Sequence, residues 1–116
     1  PASRAEVHPG RDGVFVHTNH CLVPAHQEIE ASTPASSSHA RQSRLESLVD
    51  EAKNAVSPGT LEAAFGDRAN GENAISRVDF NGISSNGAVV MEPAAGLFRA
   101  CHGTPHDAEW LEIPPA

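Results

Sequence analysis

The segment HTNHC at positions 17–21 places two histidines, an asparagine and a cysteine within five residues. Imidazole and thiolate groups bind zinc, and they also act as general bases or nucleophiles. A rigidly held side-chain amide can donate to a developing oxyanion. Three kinds of site therefore have to be compared: a metal site, a cysteine–histidine pair and an oxyanion-stabilising amide.

A metal site would use His17, His20 and Cys21, with Cys101 and His102 as candidates to complete the ligand set. A structural zinc site needs four ligands, usually in close paired spacings. The segment is predicted to be a strand, in which residues three apart point to opposite faces and adjacent residues diverge. The spacing therefore argues against a metal.

Cys21 and Cys101 are the two cysteines of the chain, and they do not form a CxxC motif. Two cysteines are too few for a disulfide framework, so reduced thiols in an intracellular protein are the default. Neither is predicted at a helix N-terminus or in a basic pocket that would favour the thiolate. Such cysteines more often act as small apolar residues, so we expect neither to be a nucleophile.

Asn19 has two interpretations. Its amide could stabilise an oxyanion from the end of a strand, on the same face as His17. Alternatively, it could close the strand by bonding the loop backbone. The spacing of residues alone favours the second role.

Several elements are predicted to position these side chains. Residues 12–19 read as a strand, with alternate residues from Val14 to His20 on one face and those from Phe15 to Cys21 on the other. Residues 22–40, rich in Ser, Ala and Pro, are predicted to be a long loop. Two helices follow, at 37–55 with Ser37 or Ser38 as a cap, and after Ser57 and Pro58. Residues 87–93 and 97–103 predict a hairpin, and 108–114 a third strand. The order predicts an α+β fold with mainly antiparallel pairing.

Composition limits the classes of partner. The chain has 116 residues and a formal net charge of -7, which argues against nucleic acid and against an anionic membrane surface. It shows neither a signal peptide nor a long apolar run, so we expect an intracellular, cytoplasmic protein. With aromatic residues at 4%, the core must be small. We therefore expect a fragment or processed subunit that packs on a neighbour, rather than a trimmed complete domain.

The segments DGVFVHTNHCL and HARQSRLESLVDEA, separated by the loop, resemble the acyl-coenzyme A:6-aminopenicillanic acid acyltransferase family of cysteine-nucleophile Ntn hydrolases. The family has a strand ending in HTNH, a polar loop, and a helix with an SxxR-like start. ENAISR and NGAVVMEPAAGLFRACHGTP also resemble it. The resemblance covers residues 12–113 and implies that 1–116 form the C-terminal part of one domain with the αββα sandwich of Ntn hydrolases.

The resemblance also implies a chemistry. In the family, self-cleavage frees a cysteine that is the nucleophile, well upstream of HTNH, and neither Cys21 nor Cys101 matches it. The resemblance therefore implies that the nucleophile and the N-terminal half or subunit lie outside this chain. It makes Asn19 the oxyanion-hole residue, with His17, Thr18 and His20 in supporting roles.

The substrate implied is a small amide or acyl compound. Asn86 stands where the family has a pocket-lining arginine, so penicillin substrates are not assumed. No cofactor is implied, and acyl-coenzyme A is a candidate acyl donor. The alternative hypothesis is a non-catalytic α+β module whose histidines and cysteines bind a metal or a partner.

Overall fold

Along this chain, helices precede an antiparallel sheet. The computed structural model describes residues 13–30, 36–52 and 55–115. Within these residues the α-helices are α1 (Pro24–Glu30), α2 (Ser36–Glu51) and α3 (Pro58–Phe65). The strands are β1 (Gly87–Glu92), β2 (Leu97–His102) and β3 (Trp110–Glu112), in the order β1-β2-β3. The predicted α+β class is confirmed.

The strand predicted at residues 12–19 does not form in its described part, residues 13–19. A strand exists only where a neighbour completes its hydrogen-bond ladder, and the backbone N–H of Asn19 is bonded to the Ser38 side chain instead. The predicted alternation of faces is nevertheless confirmed. Val14, Val16 and Thr18 are half-buried, while the odd-numbered residues between them are exposed.

The long loop predicted at residues 22–40 is wrong in two places, because it contains α1 and the first residues of α2. Pro24 begins α1, where its missing N–H costs nothing and its fixed φ suits a helix. The carbonyl of Val23 then accepts hydrogen bonds from the N–H groups of His26 and Gln27, at 2.9 and 3.2 Å. Residues 31–35 lie outside the described part of the chain.

The helix predicted at 37–55 is confirmed as α2, although it begins at Ser36 and ends at Glu51. Neither Ser37 nor Ser38 is its N-cap, because both lie inside the first turn. The cap predicted for α3 is confirmed. Ser57 accepts from the N–H of Thr60, and the Thr60 hydroxyl accepts from the N–H of Ser57 in return, so both ends of a capping box are present.

Two ion pairs join the helices to their surroundings. Arg44 of α2 donates two hydrogen bonds to Asp67, at 3.1 and 2.7 Å, just beyond the end of α3. The hydrogen bonding from Arg44 holds the pKa of Asp67 below its usual value. Arg99 of β2 lies 2.7 Å from Glu62 of α3. These contacts fix α2 and α3 relative to each other and to the sheet.

The predicted hairpin is confirmed, and β3 lies within the predicted third strand and pairs antiparallel with β2. The turn between β1 and β2 uses Gly96 at φ 65, a left-handed conformation that favours glycine. Helix α3 contacts β1, and on that face of the sheet Val90 and Cys101 are buried.

The opposite face of the sheet is apolar and exposed. Its exposed members are Val89, Met91, Leu111 and Ile113, each between 45% and 61% accessible. Monomeric proteins rarely leave contiguous apolar surface of this kind uncovered. In the described part of the chain these four side chains are left exposed.

Gly87, opposite His102 in the hairpin, cannot accept a side chain without displacing the neighbouring strand. A Cβ at this position would lie 2.6 Å from the carbonyl oxygen of Cys101. We expect Gly87→Ala to lower the free energy of unfolding by about 1–3 kcal/mol, the usual cost of overpacking, measured by urea denaturation. The matched control is Gly59→Ala in α3, where a Cβ meets only the Ser57 hydroxyl at 3.9 Å. Equal stability of the two variants would contradict the observed register of the hairpin.

None of the helices in the described ranges combines the length and the apolar character needed to cross a membrane.

Candidate oxyanion site

The hydroxyl of Ser38, in the first turn of α2, holds the backbone of the HTNH segment. Its oxygen accepts hydrogen bonds from the N–H groups of Asn19, at 2.8 Å, and His20, at 2.9 Å. The Thr18 hydroxyl donates to the Ser38 carbonyl at 2.7 Å. Ser38 is only 5% exposed. A buried side chain of α2 therefore determines where Asn19 sits.

The remaining hydrogens of this cluster can be assigned by counting donors and acceptors. Thr18 uses its hydroxyl hydrogen on the Ser38 carbonyl, so its oxygen can only accept from other groups. Ser38 accepts from two N–H groups, so its own hydrogen goes to Nδ1 of His20 at 2.9 Å or to the Thr18 hydroxyl at 2.8 Å. The hydroxyl groups of Thr18 and Ser38 and Nδ1 of His20 therefore all have partners in this cluster.

His20 is buried, and its ring stacks on His39 of α2 with the centroids 3.8 Å apart. Burial lowers the pKa of His20, and the neighbouring His39 lowers it further. The neutral imidazole is therefore favoured, and this form can accept the Ser38 hydrogen at Nδ1. These contacts hold the HTNH segment on the helix.

His17 is exposed, and its Nε2 lies 2.7 Å from the carbonyl oxygen of His20. An N–H at Nε2 donates to this carbonyl and closes the bend between the two histidines. Among the described residues no group of three His, Cys, Asp or Glu side chains is placed to hold a metal ion. His17 is exposed and His20 is buried, so the two rings lie in different environments.

The side chain of Asn19 is exposed, and its Oδ1 accepts a hydrogen bond from Nη2 of Arg41 at 2.7 Å. This contact identifies the oxygen end of the amide. Within residues 13–30, 36–52 and 55–115, no acceptor takes the hydrogens on Nδ2. The described contacts also include no hydrogen bond from the Asn19 side chain to the loop backbone, the role that the spacing of residues favoured. The arrangement leaves an oriented amide donor at the surface.

The two cysteines lie in different settings, Cys21 beside Glu30 and Cys101 in the sheet. The backbone N–H of Cys21 donates to the Glu30 carboxylate at 2.6 Å. Burial raises the pKa of the Cys21 thiol, and the charge of Glu30 and its hydrogen bond with the thiol raise it further. Cys101 is buried in the sheet, whereas its neighbour His102 is exposed, the divergence expected of adjacent strand residues.

Asn86, the candidate for substrate binding, is exposed and directly precedes β1. Its carbonyl accepts from the N–H of Gly103 at 2.8 Å, which closes the open end of the hairpin. No contact in the described part of the chain joins Asn86 to the HTNH segment, so the structure does not bring these two candidates together.

Sequence reasoning missed Ser38 and Arg41 as members of the site. Ser38 was considered only as a helix cap, and Arg41 entered only as part of the segment HARQSRLESLVDEA. The signal that could have identified them is their spacing, because residues three apart on a helix lie on the same face. Ser38 holds the backbone of Asn19, and Arg41 holds its side chain.

A cavity of about 250 Å³ lies beside the segment and is lined by Phe15, His17, Cys21, Leu22, Val23 and His26. Apolar side chains dominate this lining, with two imidazoles among them. The cavity is therefore an apolar recess next to the HTNH segment, and Asn19 itself is not part of its lining.

Comparison with known proteins adds no assignment, since no family model, curated protein or solved structure matches this chain at a significant level.

Proposed function

We propose that this chain is the C-terminal part of a cysteine-nucleophile Ntn enzyme that hydrolyses or transfers the acyl groups of small amides. In this proposal Asn19 is the oxyanion-hole residue. The observation that carries it is the amide of Asn19, whose oxygen is bonded to Arg41 while no described residue accepts a hydrogen bond from its N–H end. The likeness of HTNH and its following helix to the penicillin acyltransferase family supports the same role.

The reaction would proceed by acyl transfer to sulfur. A cysteine outside this chain attacks the substrate carbonyl as its α-amino group takes the thiol proton, and the carbonyl oxygen becomes an oxyanion. The Nδ2 hydrogens of Asn19 stabilise that charge. The C–N bond then breaks as the proton passes to the leaving amine, and water or another amine later releases the acyl group from sulfur.

The exposed face of the sheet supports the proposed αββα sandwich. Helix α3 covers one face, and the apolar residues Val89, Met91 and Leu111 occupy the other. Two sheets that pack face to face bury apolar side chains of this kind between them. The partner in this proposal is the N-terminal half or subunit of the same enzyme, which brings the second sheet and the nucleophile.

The proposed substrate is a small amide or thioester with an apolar acyl group, for which the cavity next to the HTNH segment has a suitable lining. The proposal needs no cofactor, and acyl-coenzyme A enters only as a candidate acyl donor. With Asn86 at the position of the family's pocket-lining arginine, penicillins are not assumed as substrates.

The test is to express the complete protein that contains this chain and to identify its N-termini by mass spectrometry. We expect self-cleavage to expose an N-terminal cysteine, and we expect the processed protein to release amines from a panel of small N-acyl amides. Alanine at that cysteine should abolish both. The 116-residue chain alone should be inactive. Amide hydrolysis by the isolated chain that Cys21→Ala or Cys101→Ala abolishes would contradict the proposal, and stoichiometric zinc found by elemental analysis would favour the metal-binding module instead.

A further inference from the structure

We infer that Arg41 is a positioning residue, which holds the Asn19 amide with its N–H end towards the substrate and strengthens it as a donor. This inference rests on the proposed role of Asn19. It gives a residue of α2 a role in catalysis, because Arg41 orients the amide of Asn19.

The geometry of the contact decides which end of the amide faces the substrate. Nη2 of Arg41 lies 2.7 Å from Oδ1 of Asn19, the short distance typical of a charge-assisted hydrogen bond. A free asparagine amide can rotate by half a turn and exchange its oxygen and nitrogen. An oxygen facing the substrate would repel the developing oxyanion, whereas a guanidinium group, which only donates hydrogen bonds, stabilises the orientation with oxygen towards Arg41.

The charge of Arg41 also acts on the donor. A cation bonded to the amide oxygen draws electron density from the nitrogen, so the Nδ2 hydrogens become more positive and bind an oxyanion more strongly. In the described part of the chain no carboxylate forms an ion pair with Arg41, so its charge is not neutralised there. This contrasts with Arg44, one turn later in α2, which is paired with Asp67.

Helix α2 carries Arg41 and also holds the backbone of Asn19, so the two side chains are fixed relative to each other. Ser38, three residues earlier, binds the N–H of Asn19. Nε of Arg41 donates to the hydroxyl of Ser37 at 3.3 Å, which restrains the guanidinium plane. Backbone and side chain of Asn19 are therefore both held from one turn of α2, and a site held in this way needs little reorganisation during the reaction.

The experiment compares four variants of the processed complete enzyme: Asn19→Ala, Arg41→Met, Arg41→Lys and the double variant of Asn19→Ala with Arg41→Met. Met retains much of the apolar stem and removes the guanidinium. We expect Arg41→Met to lower kcat by roughly tenfold or more with KM nearly unchanged, as for an interaction that matters mainly in the transition state. The double variant should be no slower than Asn19→Ala. Arg41→Lys should recover only part of the loss, because an ammonium lacks the planar fork.

Two further measurements separate positioning from a general structural effect. Added guanidinium ion should raise the turnover of Arg41→Met but not that of the double variant. The side-chain NH₂ resonances of Asn19, in protein labelled with ¹⁵N at asparagine, should shift in Arg41→Met and stay in place in the control Arg68→Met, since Arg68 is exposed.

The outcomes distinguish this inference from the proposed function. If Asn19→Ala loses turnover while Arg41→Met and Arg41→Lys both retain it, Arg41 does not position the amide, and the role of Asn19 stands. Additive losses in the double variant would also overturn the inference. If Asn19→Ala itself retains turnover, the proposed function fails together with the inference.

Discussion

Replacing Asn19 by alanine in the processed complete enzyme should lower kcat by about a hundredfold or more and leave KM nearly unchanged. The reason is that the oxyanion exists only in the transition state and the tetrahedral intermediate, so the lost hydrogen bond costs little in substrate binding. Asn19→Asp should be slower still, because a carboxylate would repel the negative charge. Steady-state kinetics on one amide substrate measure both effects.

These kinetics require protein that is already cleaved at the nucleophilic cysteine, since the same amide is available to act in self-cleavage. The controls are the two flanking histidines. His20→Ala should mainly reduce stability, because the His20 ring is buried against His39 and bonded to Ser38. Near-normal turnover in Asn19→Ala, combined with loss of turnover and of bound metal in His17→Ala or His20→Ala, would replace the oxyanion assignment with a metal site.

Ser38→Ala should lower the free energy of unfolding by about 2–4 kcal/mol. The substitution removes the acceptor for the N–H groups of Asn19 and His20, and a buried donor left without a partner costs about 1–3 kcal/mol. It also removes a bond to Nδ1 of His20. Urea denaturation of the protein measures the change.

The matched control for Ser38→Ala is Ser47→Ala on the same helix. Ser47 is exposed, and among the described residues its hydroxyl bonds only the carbonyl of Ser43, one turn earlier. We expect this variant to stay within about 0.5 kcal/mol of the parent protein, as is usual for surface positions. If the two variants lose equal stability, the cluster around Ser38 does not carry the attachment of the HTNH segment to α2.

Short-range features of this chain could be read from the sequence because the interactions behind them are local. The start of α3 follows from Ser57 and Pro58, whose cap and fixed φ act within one helical turn. The hairpin follows from two β-rich runs around a Pro–Gly turn, which Gly96 completes in the left-handed conformation. The alternating burial of residues 13–20 likewise follows from period-two spacing of apolar residues.

Errors arose where an element depends on a distant partner or on competing local signals. Residues 13–19 have a strand-like composition, yet a β-ladder needs a second strand, and a side chain of α2 takes the backbone of Asn19 instead. The segment with α1 has the composition of a loop, but Pro24 at its first position outweighs that impression. The first outcome depends on a distant side chain, whereas the second depends on which of two local signals is stronger.

The candidate site divides in the same way. Sequence alone made Asn19 notable, because an amide among two histidines and a cysteine is chemically suggestive, and likeness to a family raised its importance. Only the tertiary structure decided that Ser38, 19 residues away, holds its backbone and that Arg41, 22 residues away, holds its amide oxygen. Both contacts form because α2 presents residues three apart on one face and packs that face against the HTNH segment. The residue types make the contacts possible, but only the position of the helix in space brings them to Asn19.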